Sequence, residues 1–332
     1  MMPLTNFPQG VASFGIPVIG SGSLYDMPPG RVWFVCNRTG ATSQSGTTGT
    51  NRDSPFLSIA DAVASIATTN PTQGDVIFVM AGHAENVTGS NIFSASLVNT
   101  GAMTIPAGTR IIGEGFGTAR PTLTLTAAGS TLALAAANCS LENMILLCPQ
   151  TGITTTAVMV TVTAANCMVR QCQFQGSASA TALCTTGIQL SSAATDFLAL
   201  DNNGYTVTGT PTSWLSNTGT AGPTRCTVQR NDINWLLTAT TSGCIDMTAA
   251  SVSGPTNMLI QDNTFANLTA ASTVAVKFSA STSGDMTNNY LTILAAGAVT
   301  AITTPGLLTM YGNQLAQQGK QGIATTTGGA ST

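Results

Sequence analysis

Acid–base chemistry in this chain would rest on very few side chains. Its 332 residues hold 13 Asp and Glu, 10 Lys and Arg, and a single histidine. Breaking a glycosidic bond takes two carboxylates at a set separation, or clustered acids beside a basic Arg or Lys. In the repetitive part of the chain the acids are Glu142, Asp196, Asp201, Asp232, Asp246, Asp262 and Asp285. Asp201, Asp232 and Asp262 fall near one recurring turn, at one, four and two residues after the apolar residue that leads each copy. Those offsets predict side chains aimed in different directions. Arg170 and Arg230 share one position and Lys277 holds another, so no base recurs beside the acids. Acids in turns usually hydrogen-bond nearby backbone, and no catalytic residue is expected. Three Trp and four Tyr leave few rings to stack on sugars.

Metal and redox chemistry find equally little. His83 and Glu85 stand in the run GHAEN (82–86), but no further ligand is visible in the sequence. His83 is expected to satisfy backbone groups near the cap. The eight cysteines are Cys36, Cys139, Cys148, Cys167, Cys172, Cys184, Cys226 and Cys244. No CxxC occurs, and Cys167 and Cys172 have no histidine nearby. Buried free thiols packing as small hydrophobes are expected, with no metal and no cofactor.

The elements that must position these residues come from a repeat. CMVRQCQF (167–174), LALDNNGY (198–205), CTVQRNDI (226–233), MLIQDNTF (258–265), DMTNNYL (285–291) and LTMYGNQL (308–315) share the pattern apolar-x-x-Asn-x-apolar, with Cys in place of Asn in the first. LENMILL (141–147) reads as a copy one residue shorter, and RIIGEGFG (110–117) as an earlier one. The leading residues are Ile111, Leu141, Val169, Leu200, Val228, Ile260, Met286 and Met310, spaced by 24 to 32 residues. A second column of alternating, β-branched runs lies between the copies: 157–163, 186–191, 243–248, 274–279 and 298–303. Each repeat therefore holds at least two short strands.

Strands of this length and period suit coils stacked along an axis, each strand pairing in parallel with its equivalent one coil away. The fold class is all-β, a right-handed parallel β-helix with an amino-terminal extended arm and a short capping helix. Eight coils would rise roughly 34 Å. Asn203, Asn231, Asn263, Asn289 and Asn313 are expected to form a structural ladder of stacked amides at a turn. Surplus residues must leave as loops at 149–156, 204–224 and 237–243. The second of these carries Trp214, a candidate contact with a partner.

Four segments result. Residues 1–30 form an arm for docking, 31–86 a capping region with a helix and first strand, 87–318 the β-helix, and 319–332 a flexible tail. In the cap, SPFLSIADAVASI (54–66) reads as a helix with Ser54 at its cap, Pro55 at its first position, and Phe56, Ile59, Val63 and Ile66 on one face. The arm residues Phe7, Val11, Phe14, Ile16, Val18 and Ile19 are too apolar to stay solvated, so they are expected to dock on a partner subunit or on sister chains.

Charge narrows the partners. Charged residues make up 7% of the chain, against about 25% in ordinary soluble domains. The net charge is −3 and the basic residues are scattered. No basic stripe exists for nucleic acid or an anionic membrane, and no apolar run is long enough to span a bilayer. The first residues show neither a basic n-region nor a long apolar h-region, which predicts synthesis in a cytosol.

The run PLTNFPQGVASFGIPVIG (3–20) resembles the amino terminus of phage and prophage β-helix proteins. DSPFLSIADAVASI (53–66) followed by GDVIFVMAGHAEN (74–86) resembles their cap helix and first strand. The repeats are more distantly similar to the pectin-lyase-like superfamily. This resemblance implies a virion protein made in a bacterial cytoplasm, most simply a non-catalytic capsid decoration or cement protein. It implies the major capsid protein or other virion proteins as partners, with a capsid subunit or sister chains under the arm, and association as a homotrimer. The alternative it leaves open is a tail spike or fibre that recognises or cleaves host polysaccharide.

Overall fold

The computed structural model describes residues 11–13, 16–19, 30–37, 49–69, 74–87, 105–126, 130–148, 157–176, 184–206, 211–235, 243–249, 253–267, 274–294, 299–303, 306–317, 320–324 and 330–331. Short strands with one apolar face cannot bury it alone, and here they bury it by stacking. Successive coils contribute their strands to three sheets. The first sheet has ten parallel strands, running from Val32–Val35 to Leu307–Tyr311. The second has eleven, beginning at Ala84–Val87, and the third has seven, from Leu132–Leu134 to Ile302–Thr303. The sequence pattern announced the first and third kinds of strand. The second, such as Gln173–Gln175, was marked only by the single apolar residue that closes each copy, here Phe174. The chain is a parallel β-solenoid, as the repeat predicted.

Register is continuous along the first sheet. Ile111, Leu141, Val169, Ala199, Val228, Ile260, Met286 and Met310 face one another in succession. Seven of these are the expected leading residues, but Ala199 replaces Leu200. Leu198 and Leu200 flank Ala199 and point outward, half-buried, while Ala199 is fully buried. Phe197, also fully buried, supplies the bulk that the small Ala199 lacks. Because side chains alternate, a one-residue slip turns every residue to the other face. The same register shows that LENMILL is not a shortened copy. Leu146 pairs with Phe174, so Met144 occupies the ladder position.

That slip also corrects the ladder. Its first asparagine is Asn202; Asn203 is an exposed strand residue opposite Gln173 and Asp232. From Asn202 the ladder runs through Asn231, Asn263 and Asn289 to Asn313, all buried. From Asn231 onward each Oδ1 accepts two bonds from the coil before it. Asn231 Oδ1 takes the Asn202 backbone N–H at 3.0 Å and its Nδ2–H at 2.9 Å. Each Nδ2 also donates back to a carbonyl, as Asn263 does to Val228 O at 2.9 Å. Cys172 begins the column as an asparagine mimic. Its N–H donates to Asn202 Oδ1 at 3.0 Å, and its Sγ lies 3.5 Å from Leu141 O and 3.4 Å from Arg170 O.

The residue before each ladder position turns the chain with positive φ. Asn143, Gln171, Asp201, Arg230, Asp262, Asn288 and Gly312 hold φ between 53° and 68°. This conformation costs an L-residue roughly 1–2 kcal/mol. Only Gly312 escapes that cost, and the bonded amides of the ladder hold the others in place.

The third sheet carries a stacked bulge that turns two successive residues inward. Trp214 and Leu215 both donate their backbone N–H to Cys244 O at 2.9 Å, and Ala275 and Val276 both donate to Ala301 O at 3.0 Å. This overturns the reading of Trp214 as a partner contact on a loop. It lies in the strand Ser213–Asn217 and is 0% exposed. Its ring meets Phe174 edge-on at 6.0 Å. A glycine makes the room: a Cβ at Gly187 would sit 2.8 Å from Trp214 Cδ1.

The ends differ from expectation as well. The helix is Ile59–Thr69, starting later than residue 54. Phe56 is drawn into a bridge with Val35, its N–H bonded to Phe34 O at 2.8 Å. Ser58 therefore becomes the cap, accepting from Asp61 N–H at 3.1 Å and donating to Asp61 Oδ2 at 2.7 Å. Ile59, Val63 and Ile66 are buried, so the helix closes the first coil as expected. Val32–Val35, placed by the sequence in the cap, is already a rung, paired with Val76–Val79. At the other end, the expected tail adds Lys320–Ala324 and Ala330–Ser331 to the second sheet as antiparallel strands.

The ladder makes two substitutions unequal. Asn231→Val strips the Asn202 amide of its acceptor and is expected to lower stability by about 2–4 kcal/mol. Cys172→Asn extends a pattern already in place and should change stability by less than about 1 kcal/mol. Urea melts followed by circular dichroism compare the two, and equal midpoints would show the ladder to be dispensable.

Candidate functional site

Four carboxylates of the solenoid wall, Glu142, Asp196, Asp201 and Asp246, are tied to cations of neighbouring coils. With Ala199 in register, Asp201, Arg230 and Asp262 occupy the same turn position on successive coils. Asp201 and Asp262 are therefore not offset, as the sequence spacing suggested, but an arginine stands between them. Arg230 grips Asp201 through Nε at 2.6 Å and Nη2 at 3.1 Å. Across the same two coils, Arg225 grips Asp196 through Nε and Nη2, both at 2.6 Å. The Arg225 guanidinium holds the Asp196 carboxyl below its usual range. Hydrogen bonding to Asp196 and Asp201 in turn raises Arg225 and Arg230.

Glu142 is an enclosed carboxylate of the wall, 2% exposed although it faces outward. Ser140 Oγ donates to its Oε1 at 2.7 Å, and Arg110 does so through Nε at 3.0 Å and Nη2 at 2.9 Å. Arg170, from the next coil, reaches Oε2 at 3.1 Å. The signal for this cluster was present in the sequence. Glu142 and Arg170 each follow a leading apolar residue by one, which places them side by side.

His83 lies at the amino end, 1% exposed. Asn37 N–H donates to its Nδ1 at 3.1 Å, so the ring proton sits on Nε2 and is donated to Glu85 Oε2 at 3.0 Å. Glu85 Oε2 also accepts the Ile59 N–H at the start of the helix, at 2.9 Å. The pair thus ties the first rungs to the cap, where the sequence reading placed His83.

One concavity lies on the outer face of the third sheet. Gln189, Ser216, Asp246 and Lys277 follow one another in register there. A groove of about 460 Å³ is lined by Thr186, Gln189, Ser213, Ser216, Asn217, Asp246 and Thr248, among others. Asp246 is paired with Lys277 at 3.1 Å and accepts the Thr248 N–H at 3.1 Å. Ser216 Oγ is buried and has no hydrogen-bond partner among the described residues. The sequence reading missed this groove, because it depends on which hydroxyls face out once the bulge is in place. A second cleft, near Phe116 and Arg120, has its arginine already bonded to Gly117 O and Gln171 O, both at 3.2 Å.

Among the arm residues, Val11, Ile16, Val18 and Ile19 fall in a small antiparallel hairpin, Val11–Ser13 with Ile16–Ile19. Phe7 and Phe14 lie outside the described residues. No group of three metal-ligating side chains occurs among the described residues.

No protein-family model matches the chain, and no curated protein matches it. Two solved structures are similar to it. One is a rhamnogalacturonan lyase, 10% identical, with a TM-score of 0.41 over 86% of this chain and 74% of that one. The other is the Azotobacter vinelandii mannuronan C-5 epimerase AlgE6 A-module, 13% identical, with a TM-score of 0.31 over 78% of this chain and 90% of that one. Both similarities are too low to bear on activity.

The cysteine columns predict a pH response. Burial pushes the thiols of Cys139, Cys172, Cys226 and Cys244 up from 9.0 to about 12. Below 9.0 both folded and unfolded chains keep these protons, so the thiols add no pH dependence. Above it only the unfolded chain releases them, and stability falls as pH rises toward about 12. Melting temperatures over an alkaline series should show that decline. Alkylation at about pH 8 should leave these thiols unmodified until the chain unfolds, and rapid native labelling would contradict their burial.

Proposed function

We propose that this chain is a non-catalytic structural protein of a bacteriophage particle, a decoration or cement protein that binds the major capsid protein. The observation that carries this reading is the use made of the wall charges. Glu142, Asp196, Asp201 and Asp246 are each bound to a cation from an adjacent coil. Acids held this way brace one coil against the next. A braced, weakly charged prism works by shape, and many modest contacts along it would clamp several capsid subunits together. The amino-terminal resemblance supplies the link to phage. The arm agrees with it, since an isolated two-stranded hairpin is marginal in water and gains stability by docking on a larger surface.

A second reading, a tail protein that recognises host glycan, draws on the third-sheet groove. Its hydroxyl and amide lining suits an uncharged, hydroxyl-rich ligand, and the orphaned Ser216 Oγ is free to bond one. Without rings in that lining, binding would rest on hydrogen bonds alone.

Two measurements separate the readings. Quantifying the chain in purified particles should give hundreds of copies for a head protein, and a handful would favour the tail. Incubation with host polysaccharide should release neither reducing nor unsaturated ends, and their appearance would overturn the non-catalytic assignment. A Ser216→Val, Asp246→Asn double variant should leave particle stability unchanged if the groove plays no part in head binding.

A further inference from the structure

The two ends of the solenoid are finished differently. At the amino end, the outermost strand of the first sheet, Val32–Val35, is covered. Phe34 N–H bonds Gly49 O at 2.7 Å, Val35 bridges Phe56, and the helix lies across the coil. At the carboxy end, antiparallel strands extend the second sheet. The first sheet simply stops at Leu307–Tyr311, with no strand beyond it among the described residues.

That last strand breaks the pattern of the coils beneath it. Its outward positions stand over Ser283, Asp285 and Thr287. In their register it puts Leu307 and Tyr311, which are 74% and 76% exposed. Leu308 and Met310 face inward above Gly284 and Met286, yet they are only partly buried. No charged residue occurs between Asp285 and Lys320. Exposed edges usually carry a lysine, a proline or a bulge that discourages pairing, and this strand has none of them.

We propose that Leu307–Tyr311 is an interface between two copies of this chain, paired antiparallel with the same strand of a second copy across a twofold axis. The occupant follows from the ends. Head-to-tail stacking would need a free edge at the amino end, and that edge is covered. Two identical edges can pair with each other in antiparallel fashion about a twofold axis, which closes the assembly at two. An uncharged strand opposes no like charges when it meets itself. Centred on Thr309, the pairing sets Leu307 against Tyr311 of the second copy, and the two open ends of the core cover one another.

Sedimentation of the full chain over a concentration series tests this. The wild type is expected to associate in pairs. Leu307→Lys with Tyr311→Lys sets lysine against lysine and should raise the dissociation constant by about tenfold or more. Leu307→Lys with Tyr311→Glu sets opposite charges face to face and should restore the pair. Circular dichroism confirms that each variant is folded, and Thr309→Lys, which meets itself on the axis, is a milder second probe. If the chain also associates side by side, the same variants should halve the larger assembly. A wild type that never pairs, or one whose mass matches the double-lysine variant at every concentration, would refute the interface. Failure of the lysine–glutamate variant to recover would refute its antiparallel pairing.

Discussion

Everything in this molecule depends on axial register. Each strand of the stacked coils finds its hydrogen-bond partner one coil away, at about 4.8 Å, and in parallel. Like therefore lies over like: apolar residue over apolar residue, amide over amide, αL turn over αL turn. A single slip would place a core residue on the surface and break the amide column with it. The Asn202–Asn313 column is what makes such a slip expensive, because its bonds close only when every coil is aligned.

The interior tolerates variety within that constraint by local exchange of volume. Ala199 sits beside Phe197, and Gly187 gives way to Trp214. Cys172 takes an asparagine's place because its thiol, like the Nδ2 of an amide, donates to a backbone carbonyl of the preceding coil in a small space. Close packing requires this kind of complementarity between neighbours, and it needs no strict sequence repeat.

How much was legible in the sequence follows from the same physics. Seven leading residues and most of the ladder were readable, since period and turn chemistry are local signals. The eighth was misread because Leu198, Ala199 and Leu200 alternate in the wrong sense, and hydrophobicity alone favours either leucine. That one error hid the shared position of Asp201 and Asp262 and shifted Asn202 to Asn203. The helix start was missed for a tertiary reason: Phe56 finds a backbone partner in Val35, which no capping rule anticipates. Trp214 was misplaced because a loop-like composition conceals a bulged strand. The groove on the third sheet was illegible, because its lining is assembled from separate coils.

The amide column has a consequence for the environments this chain can endure. It is built from neutral groups, so dissolved ions have no charge in it to screen and protons have none to titrate. The arginine–aspartate pairs on the wall belong to the opposite class, and concentrated brine would loosen their grip. Cohesion along the axis should therefore persist from dilute buffer to brine, with only the outer bracing yielding.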